Sequence, residues 1–277
     1  MILHCDKTVT HTIKRLREFT DIAVIGLSGG ADSTVVASLC VQALGEKNVY
    51  GIHMPYSETD RNEHNSMSLN IGKYLDINNI THDIYKAVDE CEKQAQFQLG
   101  KRFHEDLTTR QWNLLLGNVK ARERMQVLYT YNELVAHATG KKCRVIGTGN
   151  LSEDFIGYAT KYGDLGVDIN PIGDLFKSEV YQLLDYFKDL GVIKEEHINR
   201  IPSANLWERQ TDEEEIGMTY DEMEPIIHDL MQPHGLGRPV DKEIYNKVKK
   251  LYYSNLHKTE PIPVINLTQF TDRVVSR

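Results

Sequence analysis

The sequence predicts an α/β protein: a parallel sheet flanked by helices, followed by a helical C-terminal part. Three observations carry this. Short apolar, β-branched runs alternate with segments of helical periodicity. Glycine-bearing turns follow two of those runs directly. Beyond residue 170 the apolar runs stop, helical patterns continue, and the connections hold most of the prolines.

In chain order, residues 22–27 (IAVIGL) read as a buried strand, and 32–44 as a helix with Val35, Val36, Leu39, Cys40, Ala43 and Leu44 at helical spacing. Residues 49–53 (VYGIH) form a second strand, 59–75 a helix with a polar start, and 80–84 (ITHDI) a third strand. Helices are predicted over 86–99, 103–114 and 118–139, the last with an apolar stripe of Val119, Met125, Leu128, Leu134 and Val135 that suits core burial or a dimer interface. Residues 143–149 (CRVIGTG) form a strand ending in glycines, and 176–190, 220–231 and 240–257 are helical. This organisation is one domain over 1–277: an α/β core over about 10–170, a helical part over about 171–260 and a loose tail at 266–277.

The chain has 32 Lys plus Arg against 40 Asp plus Glu, a net charge of −8, which weighs against a protein that grips nucleic acid through phosphates. No apolar run approaches the ~18–20 residues of a membrane span, and the first residues lack a signal-peptide pattern, so a cytoplasmic protein is expected. Four dispersed cysteines, with no C-x-x-C, argue against a disulfide framework or a cysteine zinc site. The histidines, His53, His64, His228 and His234 among them, lack zinc-like spacing.

The segment Ser28–Gly29–Gly30–Ala31–Asp32–Ser33–Thr34 joins the first strand to a helix. Glycines permit close backbone approach, and a helix start offers free N–H groups and the positive end of the dipole to an anion. The competing reading is a tight turn with Asp32 or Ser33 as a helix cap. The loop lacks the Lys of a Walker loop, and it is no dinucleotide fingerprint. Its pattern S-G-G-x-D-S resembles the pyrophosphate loop of the ATP pyrophosphatase superfamily, whose members cleave ATP between the α and β phosphates. That resemblance implies a Rossmann-like, adenine nucleotide alpha hydrolase-like sheet. It implies ATP as co-substrate, touched by Gly26, Leu27, Ser28, Gly29, Gly30, Ala31, Asp32, Ser33 and Thr34, with Asp32 on Mg²⁺.

Residues 147–180 (GTGNLSEDFIGYATKYGDLGVDINPIGDLFKSEV) read either as a solvated polar loop before a helix capped by Asp174, or as a site rich in Lys and carboxylates. With GNVKAR at 117–122, IPSANLWERQTDEEEIG at 201–217, YDEME at 220–224 and HK at 257–258, the string is similar to that of NAD⁺ synthetases over roughly 10–260. The resemblance implies amidation of deamido-NAD⁺ to NAD⁺ through an adenylate, in the short form that uses free ammonia, in a homodimer. It puts Thr148, Lys177 and Ser203 on ATP, Glu153 beside Asp32 on Mg²⁺, and Arg122, Lys161, Asp168, His257 and Lys258 on deamido-NAD⁺. Catalysis then rests on Asp32, Lys177 and Asp168, with Asp168 or Asp164 handling ammonia. Asn205 departs from an Asp common in related chains, and Asn150 decides little. TDEEE at 211–215 reads as a solvated helix start boxed by Thr211 and Glu214. Dispersed cysteines and acidic balance weigh against a tRNA-modifying superfamily member. Asp32, Glu153 and Lys177 together weigh against a non-catalytic nucleotide-binding homologue.

Overall fold

The structure is a computed structural model, and it describes residues 3–57, 65–100, 107–197, 212–232 and 241–266. Its elements are α1 (Cys5–Phe19), β1 (Ile22–Gly26), α2 (Ala31–Leu44), β2 (Val49–His53), α3 (Asn65–Tyr74), β3 (Asn78–Thr81), α4 (Tyr85–Leu99), α5 (Thr109–Thr139), β4 (Cys143–Ile146), α6 (Leu151–Ile156), α7 (Lys177–Asp189), α8 (Asp212–Ile216), α9 (Tyr220–Met231) and α10 (Lys242–Thr259). The strands form one parallel sheet in the order β3-β2-β1-β4.

Side chains of β1 alternate between the two faces, as a period of 2 requires. Ala23 and Ile25 join a core with Leu16 of α1, Val36 and Leu39 of α2, Ile71 of α3, and Leu183 and Phe187 of α7. Ile22 and Val24 face the other way, onto Val88 of α4 and Val127, Leu128 and Val135 of α5. A third cluster joins Ile156 of α6 to Met223 and Ile227 of α9 and Val248 of α10. The helix α7, predicted as part of the C-terminal portion, therefore covers the sheet.

Several elements differ from the sequence reading. The helix α1 carries Val9 and Leu16 into the first core, where only a start without a signal peptide had been read. The predicted helices 103–114 and 118–139 are joined: α5 runs through Gly117, since one interior Gly costs only ~1 kcal/mol against Ala. Its stripe splits, with Leu128 and Val135 buried but Leu134 60% exposed. The third strand starts earlier than expected, at Asn78, and β4 ends at Ile146. The cap of α7 is Phe176, not Asp174, and Glu179 Oε2 accepts from its N–H at 3.0 Å. Among the described residues no helix is long and apolar enough to cross a membrane.

Candidate active site

The strand order creates a crevice. From β1 the chain moves one way to β2 and β3, whereas β4 lies on the opposite side. The loops leaving β1 and β4 diverge at their carboxyl ends, which is where open parallel sheets hold ligands. A cavity of about 640 Å³ opens there, lined by both loops, α5, Lys177 and the end of α10. That volume suits nucleotide-sized molecules.

The loop after β1 is shaped by Gly29. Its φ is +75°, and a Cβ there would lie 2.7 Å from the Ser68 backbone nitrogen, so no other residue fits without displacing α3. Ser28 Oγ accepts from the Gly30 N–H at 3.2 Å and lies 3.1 Å from Ser33 Oγ. The cap position of α2 is Gly30, with no side-chain cap. Neither Asp32 nor Ser33 serves as cap, which rejects the simple-turn reading. The start of α2 faces the cavity through Gly30, Ala31, Asp32 and Ser33. That is the arrangement an anion needs.

Opposite the loop sits Lys177, first residue of α7 and only 3% exposed. Its Nζ donates to Asp32 Oδ2 at 2.6 Å and Glu153 Oε1 at 3.0 Å. Around the same ammonium, Tyr220 hydroxyl donates to Glu153 Oε1 at 3.0 Å and Asp212 Oδ2 at 3.2 Å. Tyr158 hydroxyl donates to Glu215 Oε2 at 2.7 Å and Asp212 Oδ1 at 3.2 Å. Three carboxylates thus surround one cation. Burial works against the Lys177 charge, but attraction to Asp32 and then Glu153 outweighs it and holds the ammonium above the usual lysine range. Burial pushes Glu153 up to about 7, opposed by Lys177 and reinforced by Asp32 and Asp212. Asp212 is raised as well, mainly by burial. This surplus of negative charge and hard oxygen donors fits a divalent cation such as Mg²⁺. Among the described residues no three acidic, His or Cys groups cage a metal by themselves. An ion held by Asp32 and Glu153 would draw its other ligands from phosphate oxygens and water.

The far side of the cavity is basic. Arg122 Nε donates to the Lys161 carbonyl at 3.3 Å, and Lys258 Nζ to the Gly157 carbonyl at 2.7 Å. Lys161 Nζ donates to the His257 carbonyl, tying the 157–164 segment to α10. Burial lowers Lys258, partly offset by Asp164. Asp164 lines this end of the cavity, its Oδ1 accepting from Thr160 N–H at 2.8 Å.

Of the predicted residues, the cavity brings together Gly26, Leu27, Ser28, Gly30, Ala31, Asp32, Ser33, Thr148, Glu153, Lys177, Arg122, Lys161, His257 and Lys258. Gly29 shapes the loop from behind. Two more of the expected residues lie off the cavity lining. Thr34 is fully buried (0% exposed), because the second turn-facing position of α2 points into the core, and its Oγ1 meets no partner. Asp168 lies outside the cavity lining. Its Oδ2 accepts from Val145 N–H at 2.8 Å and its Oδ1 from Tyr129 hydroxyl at 3.3 Å, so it extends the edge of β4. Ser203 and Asn205 lie outside the described residues, as do His64, His234 and Thr211.

Other residues were missed. Asn150 is fully buried; it donates to Asp32 Oδ1 at 3.0 Å and caps α6 through Glu153 N–H at 3.1 Å. Asp212, read as solvated, is 3% exposed, whereas Glu213 and Glu214 are exposed as expected. The only local signal was that Asp212 and Tyr220 lie in the segments that carried the resemblance.

Fold and cavity together define a class: a parallel α/β enzyme of the pyrophosphate-loop type, with a nucleotide-sized cavity at the point where strand order reverses. The comparisons sharpen it. The NAD synthase family profile matches residues 4–262. The chain is 39% identical over 249 residues to the NH(3)-dependent NAD(+) synthetase of Methanococcoides burtonii, covering 85% of this chain and 84% of that one. Among solved structures, the NH3-dependent NAD synthetase of Campylobacter jejuni, in complex with nitrate, superposes with TM-score 0.73 at 28% identity, over 96% of this chain and all (100%) of that one. NMN synthetase of Francisella tularensis superposes with TM-score 0.75, also at 28% identity, with the same coverages of 96% and 100%. The chain belongs to the NAD synthase family.

Proposed function

We propose that this protein is an ATP-dependent, C–N bond-forming ligase that amidates deamido-NAD⁺ with ammonia, yielding NAD⁺, AMP and pyrophosphate. One observation carries the reading: the glycine-rich loop and the Lys177–Asp32–Glu153 cluster share one cavity with the basic end formed by Arg122, Lys161 and Lys258. Further support comes from relatives named NH(3)-dependent NAD(+) synthetase that match over most of both chains.

A carboxylate resists amidation because its oxygen is a poor leaving group. In the proposed first step the nicotinate carboxylate attacks the ATP α-phosphorus. A C–O–P linkage forms and the bond to pyrophosphate breaks. Ser28, Ser33 and the open start of α2 hold the departing pyrophosphate, and Lys177 supplies a fixed positive charge to it. Asp32 and Glu153 would hold Mg²⁺, which when bound offsets phosphate charge. In the second step ammonia attacks the acyl carbon, a C–N bond forms and AMP leaves with the C–O electron pair. Asp164, which lines the cavity at its basic end, is the carboxylate suited to receive the proton from the attacking nitrogen. Most of the work is positioning and charge compensation, and the protein needs no nucleophile of its own.

A homodimer built on α5 is part of this reading, with the exposed Leu134 as its apolar contact, to be checked by sedimentation equilibrium. A cytoplasmic location accords with the substrates. The deciding assay incubates the protein with ATP, Mg²⁺, deamido-NAD⁺ and ammonium and measures NAD⁺ and AMP, expected in equal amounts. Nicotinate mononucleotide is run beside it, because one solved relative is named NMN synthetase. Turnover of the mononucleotide alone would replace the acceptor in this reading, and AMP release without an amide product would refute it.

A further inference from the structure

Behind the Lys177–Glu153 pair, on the side away from the cavity, lies a second buried carboxylate that the chemistry above does not use. Glu224 is 5% exposed and sits on α9, one turn after Tyr220. Its Oε1 accepts from Ser152 Oγ at 2.8 Å and from Ser178 N–H at 3.1 Å, and its Oε2 accepts from Ser178 Oγ. Ser152 Oγ in turn accepts from the Lys177 N–H at 3.0 Å. Ser152 adjoins Glu153 in the chain, and Ser178 adjoins Lys177. One carboxylate therefore holds the residue beside each member of the pair.

The start of α7 explains why this matters. Its cap position is Phe176, which has no side-chain acceptor, so the first free N–H groups need partners from elsewhere. They find them on α6 and α9. A local Ser or Asp cap would have satisfied the Ser178 N–H within the helix itself and loosened the tie of α7 to α9. A negative charge also suits the positive end of the helix, and charge-assisted bonds are stronger than neutral ones. Tyr220, on the same face of α9 four residues earlier, donates its hydroxyl to Glu153 Oε1 at 3.0 Å. The helix α9 thus contacts the pair twice, through Tyr220 at Glu153 and through Glu224 at the neighbouring serines.

We infer that Glu224 is a positioning residue that sets the start of α7 against α6, so that the Lys177 ammonium meets the phosphate site in register. The inference rests on the proposed contact of Lys177 with ATP. Its consequence is coupling: Glu224 matters to ATP because Lys177 is there.

The test is a double-mutant cycle on ATP affinity, measured calorimetrically with Mg²⁺, for the wild type, Glu224→Ala, Lys177→Met and the double variant. Glu224→Ala is expected to weaken ATP about 10-fold while changing the KM for deamido-NAD⁺ less than about 2-fold, a displacement effect of the kind a small misplacement produces. In the Lys177→Met background the same change should weaken ATP by less than about 2-fold. Circular dichroism and thermal midpoints confirm that each variant is folded. Should Glu224→Ala fail to fold, Glu224→Gln, which keeps one acceptor and the side-chain shape, takes its place with a smaller expected effect. Equal losses in both backgrounds, or no loss in either, would overturn the inference. If Lys177→Met binds ATP as tightly as the wild type, the underlying assignment of Lys177 fails instead, which the cycle reveals separately.

Discussion

Replacing Glu153 by Gln should make the metal-free protein more stable at alkaline pH while removing its activity. In the folded chain burial raises this carboxyl from 4.5 to about 7, with Asp32 and Asp212 adding to the rise and Lys177 opposing it. A raised folded-state value means the fold prefers the neutral acid. The stability it contributes is complete below about pH 4.5 and is lost as pH rises through about 7. A gap of about 2.5 pH units, at about 1.36 kcal/mol each, makes the ionised group cost about 3 kcal/mol above that window. Gln is neutral at every pH and nearly the same shape. Its Oε1 can still accept from Lys177 Nζ and Tyr220 hydroxyl, both 3.0 Å away in the wild type. Lys177 keeps Asp32 as counter-ion. The assay is urea unfolding of wild type and Glu153→Gln, in chelator, at about pH 4.5 and about pH 8. The stability difference between them should widen in favour of the variant by about 3 kcal/mol between the two pH values. Adding Mg²⁺ and ATP should stabilise the wild type and not the variant. A difference that does not change with pH, or a variant less stable than wild type at about pH 8, would refute this account of the cluster.

Five further outcomes follow from the same geometry. Lys177→Met leaves Asp32, Glu153 and Asp212 facing one another without a cation; it should cost about 3–5 kcal/mol in denaturant unfolding at neutral pH and abolish pyrophosphate release. Asp32→Ala should leave the fold intact and reduce ATP-dependent pyrophosphate release by at least about 100-fold, read in a coupled phosphate assay. Gly29→Ala puts a Cβ 2.7 Å from Ser68 N at a φ of +75°, so it should destabilise by about 1–3 kcal/mol and weaken ATP binding, measured by thermal melting and calorimetry. Asp164→Asn should alter the pH profile of ammonia-dependent turnover, whereas Asp168→Ala should act on stability, at about 1–3 kcal/mol, by leaving Val145 N–H without its acceptor.

Much of this molecule was legible in advance. The strands over 22–26, 49–53 and 143–146 declare themselves as apolar runs bounded by polar or glycine turns, because a parallel strand covered on both faces has no solvent side to mark. The loop at 28–34 was legible because glycine and hydroxyl residues at a strand-to-helix turn have few other uses. The helix α1 was not read, although Val9, Ile13 and Leu16 follow helical spacing, because its overall composition is polar. The short α6 offered no periodicity to detect in six residues. Its cap, Asn150, looked unremarkable because its partner Asp32 is 118 positions away.

The sequence by itself determined most of the elements, the phosphate-loop character of residues 28–34, and the family, since all three depend on local pattern or on motifs in order. Only the tertiary structure decided which charges meet. It separated Asp212 from Glu213 and Glu214, turned Thr34 into the core, assigned Asp168 to the edge of β4, and set Glu224 behind Lys177. The physical reason is range. Periodicity is fixed by neighbours a few residues apart, whereas the bond from Lys177 to Asp32 spans 145 positions. A hydrogen bond also depends on a few tenths of an ångström, which only the packing of α2, α6, α7 and α9 around one sheet end can set.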